Sequence, residues 1–121
     1  MKEKLKWVEE NLGDDVQLFQ DENQFFKKAD VDALIIATPH YHHPQCAMKA
    51  FQQKLHVLLE KPAGVYTKNV REMNETAEQS GLVFSMMYNQ RTNPLFQKVR
   101  SLIQSGELGE IKRTNWIITD W

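Results

Sequence analysis

The chain has 121 residues, 15 of them basic and 16 acidic, for a formal net charge of -1 at pH 7. That is one domain by the usual ~100–200 residues per domain, and 41% hydrophobic with 26% charged residues is a globular composition that excludes wholesale disorder. Neither a nucleic acid nor a membrane is expected as a partner, because no basic excess exists and no apolar run approaches the ~20 residues of a span.

Met1-Lys2-Glu3-Lys4 opens on mixed charge, unlike a secretory signal. Leu5, Val8 and Leu12 recur at helical spacing among charged residues, which predicts a helix over 2–12 with Gly13 as its C-cap. Residues 16–19 have the composition of a short strand. Asp21-Glu22-Asn23-Gln24 has the D-x-x-Q form of a capping box and predicts a short helix carrying Phe25 and Phe26. Residues 33–37 form a continuous apolar run of strand length, the pattern of a strand covered on both faces, and Thr38-Pro39 stops it. Pro44 suits the first turn of a helix through about residue 53, whose apolar face holds Ala47, Ala50 and Phe51. Cys46, the single cysteine, has no internal disulfide partner, which fits a reducing cytoplasm.

Residues 56–59 read as the next buried strand, ended by Glu60-Lys61-Pro62. Val70, Met73 and Ala77 predict a helix over 67–80 that Gly81 ends, and residues 82–86 a third strand. Asn93-Pro94 is an N-cap followed by proline at the first helical position, and Leu95, Val99, Leu102 and Ile103 line one face up to Ser105-Gly106. Residues 111–121 have strand composition and begin an element that the chain does not finish.

The pattern is α/β: three strand–helix units in a partial Rossmann-like parallel sheet with flanking helices. Right-handed crossovers put every strand C-terminus on one edge. Those ends are Thr38-Pro39-His40-Tyr41-His42-His43, Glu60-Lys61-Pro62 and Tyr88-Asn89-Gln90-Arg91. Open α/β sheets bind ligands along that edge. A tight turn holding Lys61 predicts a cis Lys61–Pro62 bond. His40, His42, His43 and Cys46 are crowded, but a metal site needs a second ligand pair that the sequence does not supply, so no metal is expected. No two of the five glycines are separated by a single residue, so the chain holds no G-x-G phosphate loop.

A-T-P-H-Y-H-H-P, then H-V-L-L-E-K-P-A-G, then N-Q-R-T-N-P and S-G-E-L-G-E-I, each one strand–helix unit from the last, resembles the Gfo/Idh/MocA family of NAD(P)-dependent oxidoreductases from about residue 31 to 121. E-K-P alone recurs by chance; T-P-x-x-x-H before it and R-x-x-P after it make the order specific. The resemblance implies hydride transfer between NAD or NADP and a hydroxyl or carbonyl of a sugar, polyol or related small molecule. It implies that residues 1–105 are part of a dinucleotide-binding domain and residues 106–121 the first strand of an α+β substrate and oligomerisation domain.

Lys61 is then the catalytic lysine, relaying a proton as hydride moves, where the bland alternative is a solvated lysine paired with Glu60. Cofactor contacts fall to Thr38, Pro39, His40, His43, Glu60, Lys61, Pro62, Asn89 and Arg91, with His43 lining the nicotinamide end. The family's G-x-G-x-x-G turn precedes the region present here. The expectation is a truncated stretch that has negligible dinucleotide affinity and no turnover by itself. It would pair along the open edge of strand 33–37 as a homo-oligomer or with the missing segment. The alternative is a non-catalytic α/β interaction module that keeps the scaffold without the chemistry.

Overall fold

The computed structural model describes residues 2–13, 15–117 and 119, and of Lys2 the backbone alone. The chain falls into two units, one up to Met87 and one from Tyr88 onward. The first contains α1 (Lys2–Leu12), α2 (Glu22–Lys28), β1 (Ala33–Ile36), a 3-10 turn (His40–His42), α3 (His43–Gln52), β2 (His56–Glu60), α4 (Thr67–Ser80) and β3 (Phe84–Met87). The strands form one parallel sheet in the order β1-β2-β3. Ile36 pairs with Leu59 and Leu59 with Met86, so the three C-terminal ends reach the same edge.

Local chemistry sets the boundaries. Asp21 caps α2, its Oδ1 accepting from the Gln24 N–H at 3.0 Å. Gly81 closes α4 in the left-handed region, at φ +67°, where a side chain would be strained. One face of the sheet turns Ile36, Val57 and Leu59 onto Ala47, Ala50 and Phe51 of α3 and Met73 and Ala77 of α4. Ala47, Ala50, Leu59 and Met73 have no exposed surface. Phe51 meets Phe84 edge to face with ring centres 5.6 Å apart.

The expected α/β architecture is present, with three differences. Residues 16–19 form no strand: a strand needs a neighbour, and none pairs with this stretch among the described residues. The third strand starts at Phe84 rather than residue 82, because the amides before it turn to side chains. Leu82 N–H donates to Ser80 Oγ at 3.1 Å and Val83 N–H to His56 Nδ1 at 3.0 Å. Residues 111–117 also form no strand, and Ile118, Asp120 and Trp121 lie outside the described residues.

The second unit holds a 3-10 turn (Asn89–Thr92) and α5 (Pro94–Gln104). Asn93 caps α5 as its sequence predicts, Oδ1 accepting from the Leu95 N–H at 3.0 Å. The α5 stripe of Leu95, Val99 and Ile103 is exposed.

Leu59→Ala and Met73→Ala each remove side chains from a fully buried position, and each is expected to lower unfolding free energy by about 2–5 kcal/mol. Urea denaturation followed by far-ultraviolet circular dichroism measures the change.

Candidate functional site

The parallel register brings two turns together at the C-terminal edge of the sheet. Thr38, Pro39 and His40 follow β1 and are exposed; Glu60 ends β2 half-buried, and Lys61 and Pro62 follow it exposed. The Lys61–Pro62 bond is cis. Glu60 Oε2 accepts from the backbone N–H of Lys61 at 2.8 Å. The carboxylate is therefore engaged by the Lys61 main chain, and among the described residues no carboxylate lies within ion-pair distance of the Lys61 ammonium. That differs from a lysine neutralised by its neighbour.

His43 is placed differently from the other histidines of its run. His40 and His42 are exposed, whereas His43 has no exposed surface. Its Nδ1 lies 2.7 Å from the Pro62 carbonyl oxygen and its Nε2 2.7 Å from the Thr38 carbonyl oxygen. Any effect of His43 on a cofactor therefore passes through these two turns rather than through direct contact by its ring. Among the described residues, no three His, Cys, Asp or Glu side chains are grouped so as to hold a metal ion.

Gly64 seats the loop beyond Pro62. A Cβ there would stand 2.7 Å from Pro44 Cγ and 3.0 Å from Val70 Cγ2, so the loop lies directly on the start of α3 and on α4. Sequence reasoning assigned Gly64 no role. The only signal was its place in E-K-P-A-G, and the need for it depends on Pro44, 20 residues earlier.

Cys46 is buried on α3 and its thiol is 3.6 Å from Glu22 Oε1, a carboxylate that Lys49 also meets at 3.1 Å. Burial and then the Glu22 charge push the thiol above its ordinary range. It remains a protonated packing residue rather than a nucleophile.

Asn89 and Arg91 belong to the second unit. They follow Met87, the register partner of Glu60, by two and four residues. Arg91 N–H donates to the Tyr88 carbonyl at 2.9 Å. The Arg91 side chain lines a cavity of about 390 Å³ with Gln90, Phe96, Gln97, Arg100 and Trp116.

The sequence profile of the oxidoreductase family GFO_IDH_MocA, an NAD-binding Rossmann fold, matches residues 2–88. The chain belongs to the Gfo/Idh/MocA oxidoreductases. It is 39% identical over 85 residues to D-xylose 1-dehydrogenase (NADP(+)) of Hypocrea jecorina, covering 70% of this chain and 22% of that protein. It is 33% identical over 91 residues to 2,7-anhydro-N-acetylneuraminate hydratase of Escherichia coli, covering 71% of this chain and 24% of that protein. The crystal structure of scyllo-inositol dehydrogenase from Lactobacillus casei with bound NAD(H) and scyllo-inositol matches with a TM-score of 0.86 at 26% identity, over 92% of this chain and 33% of that one. The chain thus spans between 22% and 33% of the length of these relatives.

The Gfo/Idh/MocA family is NAD-binding, and the residues present fit one end of a dinucleotide. Exposed Thr38, Pro39, His40 and Lys61 gather at the strand ends, where an open α/β sheet takes its ligand. The pyrophosphate end needs a glycine whose missing Cβ admits the ligand. Gly64 is the glycine of this edge, and the place of its Cβ is filled by Pro44 and Val70.

Gly64→Ala overpacks that contact and is expected to reduce unfolding free energy by about 1–3 kcal/mol. A denaturation midpoint equal to that of the parent chain contradicts the close approach.

Proposed function

We propose that these residues form the nicotinamide edge of an enzyme that transfers a hydride between NAD or NADP and a hydroxyl or carbonyl carbon of a sugar, polyol or related small molecule. The observation that carries the reading is Lys61. Its ammonium is exposed at the end of the middle strand, with no carboxylate in ion-pair distance among the described residues. The family membership and the relatives' sugar and inositol substrates support it.

The nicotinamide, when bound, supplies the hydride acceptor or donor. Lys61 hydrogen-bonds the substrate oxygen and relays a proton between that oxygen and solvent as the carbon is oxidised or reduced. Glu60 holds the Lys61 main chain by its 2.8 Å hydrogen bond and so fixes where the side chain starts. Thr38, Pro39, His40 and Pro62 border the cofactor, and Asn89 and Arg91 are assigned to it by the family resemblance alone. His43 serves the same edge through its carbonyl partners.

In this reading residues 1–105 belong to the dinucleotide domain and 106–121 open the substrate domain. The outer edge of β1, where Ile35 is exposed, accepts a further strand from a second copy or from another segment of the protein. Among the described residues no helix is long and apolar enough to cross a membrane. The lone buried Cys46 fits a cytoplasmic location.

The hydratase among the relatives favours a second reading, in which the same edge serves a reaction without net redox change. Lys61→Met in the complete enzyme tests the first. Turnover, followed by reduced-nicotinamide absorbance over a panel of sugars and polyols, is expected to fall about 10²–10⁴-fold. A substrate consumed without net absorbance change decides for the second reading. Unchanged turnover in the variant removes Lys61 from the chemistry, and no turnover of any substrate by the parent leaves the interaction module.

The 121-residue chain is expected to show no saturable dinucleotide binding at micromolar concentrations in calorimetric titration, because it carries no G-x-G turn to receive the pyrophosphate. Micromolar binding of NAD(H) or NADP(H) contradicts this.

A further inference from the structure

We propose that His43 is a buried double donor: its ring gives both N–H groups to backbone carbonyls of two different turns and thereby positions Lys61. Its importance for catalysis rests on the proton-relay reading of Lys61, but the clamp itself does not.

The geometry is specific. The ring is fully buried at the first residue of α3, and each nitrogen lies 2.7 Å from a carbonyl oxygen, Nδ1 from Pro62 and Nε2 from Thr38. A carbonyl oxygen only accepts. Neutral imidazole carries one N–H, so one of its nitrogens would aim a lone pair at an oxygen lone pair where water cannot intervene. The doubly protonated ring makes both hydrogen bonds, and charge-assisted bonds are the short ones.

Two features oppose a cation here: burial itself, and the N-terminus of α3, whose dipole disfavours positive charge. The two carbonyl oxygens are what offset them. The titratable neighbours are few. His40 packs edge to face with ring centres 5.6 Å away. Lys61 and Glu60 adjoin Pro62, with the Glu60 carboxylate already engaged by the Lys61 N–H. Cys46 follows one turn along α3 as a thiol. None of these is hydrogen-bonded to the His43 ring, so its two partners are the carbonyls.

The consequence is mechanical. Thr38 ends the segment leaving β1, and Pro62 lies next to Lys61 beyond β2. One rigid ring spans them, so the Lys61 turn cannot move away from the Thr38-Pro39 turn without breaking a buried hydrogen bond. His43 is a positioning residue in this account, not a catalytic one.

Nitrogen-15 and proton NMR of the chain at neutral pH tests the clamp without cofactor or turnover. Two slowly exchanging ring N–H protons on His43, with both nitrogens in the protonated shift range, are the expected result. A single ring N–H, whichever tautomer, overturns the proposal. Amide hydrogen exchange in His43→Phe then tests positioning. Exchange at the Lys61 N–H is expected to rise about tenfold while Leu58 in β2 keeps its protection. An unchanged Lys61 rate, or an equal rise across β2, overturns the positioning role; should the variant not fold, the ring signals of the parent still decide. Failure here leaves the hydride reading standing, because that reading is tested through Lys61→Met.

Discussion

The sheet edge depends on how closely α3 sits against its neighbours. Ala47 and Ala50 are both fully buried, and their small side chains let the helix lie directly on the strands and on α4. Larger residues at either position would lift the helix, and its first turn carries the contacts that shape the edge. His43 reaches a carbonyl from each of two turns, and Pro44 receives Gly64 where no Cβ fits. The packing of an apolar helix face and the placement of a polar edge are therefore the same constraint seen at two ends of α3.

This explains why the crowded histidines do not behave as a group. A 3-10 turn over His40–His42 leads into α3 and leaves the first and third of these residues exposed, while the next residue turns into the core. Of these three histidines, two thus meet solvent and one the core. Cys46, one turn further, lies against Glu22 of α2, and burial keeps it a thiol. Metal ligands would need convergent, deprotonated donors. Here the ring best shielded from water has both nitrogens directed at carbonyls.

What the sequence made legible follows the range of the interactions involved. The α4 helix over 67–80 is written in local periodicity and ends on a glycine, and its bounds agree with the structure. Asn93-Pro94 states the start of α5 within two residues. Strands depend on partners, so 16–19 looked like a strand in composition and is none, and β3 lost two residues when the amides of Leu82 and Val83 turned to Ser80 and His56. The E-K-P run is local too, and its place at a strand end was readable. The work of His43 was not, because it needs the Pro62 carbonyl, 19 residues away, to arrive within 2.7 Å of its ring.

Glycine shows the same division between residue type and role. The sequence makes clear that no glycine pair has phosphate-loop spacing. It does not show what a glycine beside E-K-P does in its place. In the structure the space left by the missing side chain of Gly64 is taken by Pro44 and Val70, so its smallness serves packing against α3 rather than approach of a ligand. A backbone that admits pyrophosphate must be open to solvent on the side where the Cβ would stand, whereas the backbone at Gly64 is closed there. Gly64 is of the closed kind, and its smallness holds the turn beyond Lys61 against the start of α3 and against α4.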